Sequence, residues 1–414
     1  METSALEEEI RKLTRQILHN VNRQTQNLQK SPIVQLINLI LDQAIESQAT
    51  DIHIEPQRNN LRIRYRLDGV LCELHEPLEK SLTPIFISRL KIMAEMDTTL
   101  HQVPLDGHID YKYQERKIDM RVASIPIKYG DTIVIRIMDA SEKLNNISEL
   151  GMSPKTEKIF RQLIHSSAGM FIVTGPMNSG KSTSLYAALR ELNTGEQHIM
   201  TLEDPIEQFV DGINQMEVIE KTGLSFASGL RSMLRMDCNC IMVGEARDTE
   251  TAQIAVRAAL TGHLILTTLH AKDSCSAIFR LLEMDVEPYL LAATLNGVMS
   301  QRLVRKICNH CKTAFPVMPN SIEAQILGKH FKPGLTIYRG VGCPYCRGTG
   351  FSGRIAIHEI LEVNSDIRKI ILNFEDVEAL RRVALSEKFT TMFEDGLQKV
   401  LAGYTTINEL QRVL

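Results

Sequence analysis

Tryptophan is absent from the 414 residues, and aromatic side chains make up only 5% of them, so few flat faces exist on which nucleobases could stack. An excess of positive charge is missing too. The 47 Lys and Arg against 50 Asp and Glu give a formal net charge of −3, whereas a nucleic-acid domain is more often basic overall or carries a dense Lys/Arg run. No direct nucleic-acid partner is expected. Long hydrophobic runs are lacking as well: the charge-free apolar stretch from Tyr289 to Gln301 stops short of the roughly 20 residues that a membrane-spanning helix needs. The N-terminus carries Glu7, Glu8 and Glu9 rather than the basic segment and apolar run of an export signal, so the expectation is a cytoplasmic protein. Neither internal repeats nor low-complexity tracts interrupt the chain.

What is present describes a folding chain. Hydrophobic residues at 43% and charged residues at 23% sit near globular averages, and at roughly 150 residues per domain the length suggests two or three domains. Eight cysteines in such a chain read as metal ligands or core residues before disulfides.

Residues 1–30 place Leu6, Ile10, Leu13, Ile17 and Val21 at steps of three and four among polar residues, one narrow apolar stripe on a helix. This helix either docks on its own domain or serves as a partner-docking arm. Ser31 and Pro32 then offer an N-cap and a first-turn proline, and Ile33 to Ile45 reads as a buried helix. From Asp51 to Asp139 the period changes to two, clearest where Leu61, Ile63, Tyr65 and Leu67 alternate with Arg62, Arg64 and Arg66, as a half-buried strand requires. Asp68-Gly69 is a hairpin signal; Pro84 to Met96 reads as a helix, and Lys117 to Val122 and Thr132 to Met138 as strands. Residues 31–140 are expected to form a small α/β domain, and 141–154, with Asn145, Asn146, Gly151 and Pro154, a linker. Phe171 to Leu269 alternates short apolar strands with helical segments, the pattern of a mostly parallel sheet flanked by helices. After Ile360 the pattern is helical to Leu414.

Gly175, Pro176, Met177, Asn178, Ser179, Gly180, Lys181 and Ser182 satisfy GxxxxGK[ST], with strand-like Phe171 to Thr174 before them and a helical Thr183 to Leu192 after. That is the context the motif needs. The loop's backbone N–H groups and the helix N-terminus make an anion nest for nucleotide phosphates; Lys181 would reach the β/γ-phosphates and Ser182 would ligate Mg²⁺. A nucleoside triphosphatase also needs a carboxylate near the γ-phosphate. The apolar strand Cys240 to Val243 leads to Glu245, the expected water-activating base, and Glu203-Asp204, ending the strand His198 to Leu202, could supply a further carboxylate for Mg²⁺. His263 and His270 flank the apolar run Leu264 to Leu269; they are either satisfied core histidines or sensors of phosphate or of a neighbouring subunit.

Cys308 and Cys311, then Cys343 and Cys346, form two CxxC knuckles. Each can place two thiolates on one tetrahedral cation, and four close a structural zinc site with no open position. Cys72, Cys238, Cys240 and Cys275 lack such spacing and read as core or inert residues.

In this order, the segments resemble the GspE/PulE and PilB assembly ATPases of type II secretion systems and type IV pili. Gly175 to Thr183 looks like the family's Walker A segment, Leu202 to Glu207 its Asp box, Ile241 to Asp248 its Walker B segment and Leu260 to His270 its His box. The likeness extends upstream to Asp51 to Pro56 and Arg64 to Gly69 and covers about residues 31–414. The resemblance implies an α/β protein: a RecA-like P-loop ATPase core over 155–305, a smaller N-terminal α/β (PAS-like) domain, a tetracysteine zinc module over 306–355 and a C-terminal helical segment over 356–414. It further implies a homo-hexameric ring that binds ATP, Mg²⁺ and Zn²⁺ and hydrolyses ATP at subunit boundaries. Such a ring drives an inner-membrane platform that assembles pilin or pseudopilin, and it is held peripherally at the membrane through that partner. Arginines of the smaller domain approach the nucleotide in such rings, which points to Arg64 and Arg66, with Arg89, Arg231 and Arg235 as secondary candidates. An arginine acting on transition-state charge is worth about 10³- to 10⁵-fold in rate.

Three departures from the family pattern stand out. Met177-Asn178 replaces the usual Thr-Gly of the phosphate loop, and Asn tolerates positive φ better than most residues. Cys238-Asn239 replaces Pro-Asp before Cys240, and the segment His101 to His108 lacks the familiar Gln and Arg. About thirty residues precede the matching region, where many members carry a further docking domain; a reduced pilus, pseudopilus or competence apparatus fits that economy. Two other readings compete, a zinc-ribbon nucleic-acid motor and a nucleotide-binding scaffold that does not hydrolyse. The charge balance, the scarce aromatics and the Asp and His boxes argue against the first. Glu245, Lys181 and Ser182 argue against the second.

Overall fold

The computed structural model describes residues 3–20, 31–100, 102–138, 146–373, 376–386 and 389–414, and it separates into two units, Met1–Glu142 and Lys143–Leu414. Val21, His101 and residues 141–145 of the expected linker lie outside the described residues, as does the side chain of Leu6.

In the first unit, α1 (Thr3–Asn20) and α2 (Pro32–Glu46) are followed by β1 (Asp51–Pro56), β2 (Asn60–Leu67), β3 (Val70–Cys72), β4 (Leu78–Glu79), α3 (Thr83–Met93), β5 (Leu105–Tyr113), β6 (Arg116–Ile127) and β7 (Gly130–Met138). The proline after Ser31 starts α2, whose Ile33, Leu36, Ile37, Ile40, Leu41 and Ala44 are buried. The apolar stripe of α1 is docked on its own unit: Ile10, Leu13 and Ile17 share one core with α2 and the strands, each such side chain contributing about 1.5 to 3 kcal/mol on burial. The sheet runs β3-β2-β1-β7-β6-β5, with β4 beside β2. Period-two alternation sends Leu61, Ile63 and Tyr65 into that core and the three arginines of β2 to the other face.

The second unit continues with α4 (Pro154–Ile164), β8 (Gly169–Thr174), α5 (Lys181–Leu192), β9 (Ile199–Glu203), β10 (Asn214–Glu217), α6 (Phe226–Met233), β11 (Cys240–Val243), α7 (Thr249–Leu260) and β12 (Leu264–Leu269). Next come α8 (Ser274–Glu283), α9 (Pro288–Thr294), β13 (Leu295–Ile307), β14 (Lys312–Pro316), α10 (Ile322–Leu327), β15 (Thr336–Gly340) and β16 (Phe351–Glu362), and then α11 (Ser365–Asn373), α12 (Val377–Ser386), α13 (Met392–Leu401) and α14 (Ile407–Val413). The main sheet has the order β10-β9-β11-β12-β8-β13-β16. It is parallel from β10 to β13, while β16 runs antiparallel to β13. Its inner strands β8 and β12 are buried at every position, as a sheet covered on both faces demands.

The apolar stretch Tyr289 to Gln301 divides between α9 and β13. Strand pairing also carries the core sheet across the expected boundaries at 305 and 356, with Val304 opposite Ile355 and Leu303 opposite Ala356. The cysteine-bearing segment is therefore an insertion between two strands of the core. Gly353, Arg354, His358 and Glu359 break the apolar run of β16, which hides the strand from periodicity alone.

Candidate nucleotide site and metal cluster

The phosphate loop leaves β8 at Thr174, whose hydroxyl donates to the carbonyl of Leu269 at 3.0 Å and accepts the N–H of Ala271 at 2.9 Å. These two bonds tie the ends of β8 and β12 together and carry His270 to the loop. Asn178 takes φ +61°, the left-handed conformation that Asn adopts more readily than other non-glycine residues, so the loop accommodates its departure from the usual Thr-Gly. Met177 beside it is 81% exposed. Gly180 is the N-cap of α5, so Lys181, Ser182 and Thr183 occupy the first turn, where unpaired backbone N–H groups favour anions. Lys181 Nζ donates to the carbonyls of Gly175 and Pro176, both at 3.0 Å. Burial pushes its ammonium below the ordinary lysine value, while the carboxylates of Glu245 and Glu207 pull it back up.

Glu245 follows β11 and is placed from both sides. The N–H of Gly244 donates to the Leu202 carbonyl at 2.8 Å, Thr268 Oγ1 donates to the Gly244 carbonyl at 2.8 Å, and the N–H of Ala246 donates to the Thr268 carbonyl at 3.1 Å. Its Oε1 lies 3.0 Å from His270 Nε2 and its Oε2 2.6 Å from Arg247 Nε. Arg247 Nη1 in turn reaches Asp204 Oδ2 at 3.2 Å. His270 Nδ1 stands 3.3 Å from the Gly175 carbonyl; both partners of the ring are acceptors, so both contacts are hydrogen bonds together only when the ring carries two protons. Glu245, His270, Lys181 and the loop thus form one polar cluster, and the charge on any of them is felt by the others.

Glu203 is held from several sides. It is 4% exposed, and its oxygens are taken by the hydroxyl of Tyr186, by Thr201 Oγ1 at 2.6 Å and by Gln215 Nε2 at 3.1 Å. Donors from α5, β9 and β10 thus meet on this carboxylate, which ties the three elements together. The same Tyr186 oxygen accepts the N–H groups of Glu207 and Gln208, both at 3.2 Å, so α5 holds the whole acidic loop. Glu207, whose charge Lys181 feels, and Asp204 are the carboxylates this loop turns to the site. Sequence reasoning placed Glu207 and Arg247 inside the Asp-box and Walker B spans without giving either a role, and it missed Tyr186; the acidic residue two positions after Pro205 and the Arg two positions past Glu245 were the available signals.

His263 is not brought to the loop. It starts the strand that His270 ends, roughly 20 Å away at 3.3 Å per residue, and its Nδ1 lies 3.1 Å from the Ala258 carbonyl. Arg231 pairs with Glu250 across α6 and α7, and Arg235 Nη1 donates to the Arg231 carbonyl at 3.1 Å. In the first unit, Arg64 makes two bonds to Glu55, at 3.0 and 2.6 Å, and Arg62 shares that carboxylate at 2.9 Å. Arg66 pairs with Asp51 at 3.2 Å, and the Nε of Arg89 is buried with no hydrogen-bond partner.

A family profile described as type II/IV secretion system protein matches residues 26–412. The chain belongs to this family. It is an ATP-hydrolysing enzyme of the secretion-motor class. It is 45% identical over 383 residues to a type II secretion system protein E of Pectobacterium carotovorum, covering 92% of this chain and 76% of that relative. It is 42% identical to the type II secretion system ATPase E of Vibrio cholerae over 92% and 75% of the two chains. Among solved structures, the pilus retraction motor PilT with bound ADP is 25% identical with TM-score 0.59, over 91% of this chain and 96% of that one. The Legionella pneumophila ATPase DotB shares the fold with TM-score 0.68 at 22% identity, over 91% and 94% of the chains.

In this secretion ATPase the cysteine knuckles converge at the base of the insertion. The sulfurs of Cys308, Cys311, Cys343 and Cys346 all lie within 4.8 Å of one another. Cys308 to Cys343 is 3.9 Å, Cys311 to Cys346 3.8 Å and Cys343 to Cys346 3.7 Å. A tetrahedron with Zn–S of about 2.3 Å sets its sulfurs about 3.8 Å apart, so the four residues fit zinc. The N–H groups of Cys343 and Gly350 point to Cys346 Sγ, each at 3.2 Å, an arrangement that supports thiolate charge. Cys238, Cys240 and Cys275 are buried, and burial pushes the Cys240 and Cys275 thiols up to about 12, which keeps them inert. Among the described residues no helix is long and apolar enough to cross a membrane.

Proposed function

We propose that this ATPase powers a type II secretion or related pseudopilus system, as a homo-hexameric ring on the platform protein of the inner membrane, and that its residues divide the work as follows. The backbone of Gly175 to Ser182 cradles the phosphates, with Thr183 completing the first turn of the helix. Lys181 exchanges its two loop carbonyls for β- and γ-phosphate oxygens. Ser182, with Asp204 and Glu207 beside it, would hold Mg²⁺, which would supply positive charge to the phosphates. Glu245 accepts a proton from the attacking water once Arg247 releases it, and His270, between Glu245 and the loop, responds to the γ-phosphate. Arg64 and Arg66 reach the nucleotide of a neighbouring subunit only by leaving Glu55 and Asp51, so that step exchanges one ion pair for another. Zinc on the four cysteines, when bound, closes the insertion and takes no part in hydrolysis.

The observation that carries this reading is the contact of Glu245 with His270 and of His270 with the phosphate loop, since it joins the carboxylate that activates water to the loop that holds phosphate. The test is ATP turnover of zinc-replete protein across a protein-concentration series, with Glu245→Gln as control. Specific activity that rises with concentration and vanishes in the control is the expected result. Turnover by Glu245→Gln equal to the parent would overturn the assignment of the base, and activity independent of concentration would overturn completion of the site between subunits.

A further inference from the structure

The phosphate loop rests on a side chain that none of the sequence motifs includes. Gln301 lies in the middle of β13 and is 2% exposed. Its Nε2 donates to the carbonyl of Ser179 at 2.9 Å, and its Oε1 accepts the hydroxyl of Ser184 at 2.7 Å. The carbonyl of Ser179 can only accept, so the amide has one satisfactory orientation, NH₂ toward the loop and oxygen toward α5. Two glycines permit this approach. A Cβ at Gly180 would stand 2.7 Å from Gln301 Nε2, and one at Gly175 would stand 2.3 Å from the Gln301 carbonyl.

The peptide plane supplies the functional argument. In a trans peptide the C=O and the following N–H point in opposite directions. A Ser179 carbonyl held by Gln301 therefore turns the Gly180 N–H away from β13. That N–H belongs to the set on which anion binding by the loop depends. Were the peptide free to rotate, the carbonyl could face the phosphates and repel them. Ser184, one turn inside α5, gives the amide a second fixed point, so Gln301 spans the residues between, Lys181 and Ser182 among them.

We propose that Gln301 is the positioning residue of the phosphate loop, fixing the Ser179–Gly180 peptide so that its N–H serves nucleotide phosphate. This rests on the phosphate-loop reading above.

The test is the Gln301→Glu variant of the full, zinc-replete chain, titrated with a fluorescent ATP analogue between pH 5.5 and 8 and compared with the parent at each pH. An ionised carboxylate has no hydrogen for the Ser179 carbonyl, whereas a protonated one donates to it. Burial raises the pKa of the introduced carboxyl into the accessible range. His358 stands opposite Gln301 in register; burial and the Lys399 charge hold it well below its ordinary value in the parent. The expected result is affinity weakened about tenfold or more at pH 8 and returning toward the parent as the pH falls. Parent-like affinity at every pH, or a loss that does not recover on acidification, overturns the inference. If Gln301→Glu does not fold, Gln301→Met fills the same space without a donor: at least tenfold weaker nucleotide binding with a cooperative melt supports the inference, and unchanged binding sinks it. Lys181→Ala separates the two levels. Parent-like nucleotide binding in that variant removes the phosphate-loop reading itself, whereas loss there with no effect at Gln301 removes only the role assigned to Gln301.

Discussion

The hydroxyl of Tyr186 accepts two backbone N–H groups of the acidic loop and donates to Glu203, so one oxygen fixes the helix of the phosphate loop relative to the carboxylates it works with. Tyr186→Phe removes the partner of the buried Gln208 N–H, of the part-buried Glu207 N–H and of one Glu203 oxygen, and a buried group left unmet costs about 1 to 3 kcal/mol. The expected outcome is a lower denaturant midpoint together with reduced turnover. Lys181→Ala should bind nucleotide weakly, and Glu245→Gln should bind ATP normally without hydrolysing it; equilibrium binding and single-turnover assays check the pair. Glu203→Gln is expected to destabilise the fold more than Glu207→Gln, and Glu207→Gln to depend more on Mg²⁺ concentration, measured by melting and by a Mg²⁺ titration of activity. The placement of Lys181 and Ser182 at the start of α5 and of Glu245 after β11 was legible in the sequence, because a strand, a turn and a helix N-terminus fix it locally. The contacts of Glu203 with Tyr186, Thr201 and Gln215 were not legible in the sequence, because these residues meet it only in the folded sheet.

At the scale of elements, β13 is read by both neighbours. Its register joins β8 on one side and β16 on the other, and Arg305 near its end anchors α14 through Glu409, which accepts from the Arg305 N–H at 3.2 Å and pairs with its guanidinium at 2.5 Å. Burial alone would raise the Glu409 carboxyl; Arg305 and Arg412 outweigh it and bring it down from 4.5 to about 2. A carboxyl lowered on folding stabilises the protein fully above its unfolded pKa and loses that contribution as the pH falls toward the folded one. After allowance for solvent screening this is about 1 to 2 kcal/mol. The C-terminal helix should therefore loosen as the pH drops from about 4.5 to about 2, and Glu409→Gln should flatten that dependence, as followed by amide exchange of residues 407–413. The alternation of β2 was legible because one of its faces is buried and the other wet, which is what period two reports. In β16 a glycine and polar residues interrupt the apolar run; Glu359 is satisfied by partners far along the chain, accepting from Ser274 and from Met392, and the period is lost.

At the scale of the whole molecule, the cysteine cluster closes a segment that begins and ends on adjacent strands of one sheet. Structural zinc sites in small peptides bind with about 10 to 16 kcal/mol of apparent free energy, so removal of zinc by a chelator should raise amide exchange across residues 308–350 while the sheet of the first unit keeps its protection. Equal loss in both units would contradict a role confined to the insertion. The order of strands has a further consequence for synthesis. β8 is made before β13 yet lies between β12 and β13 in the sheet, so a chain emerging from the ribosome keeps one edge of its most buried strand open until residue 295 and those after it appear. Such an edge pairs readily with other chains. Nascent chains halted before that point are therefore the species most in need of chaperone protection, and the strand that supports the phosphate loop is also the one that ends that exposure.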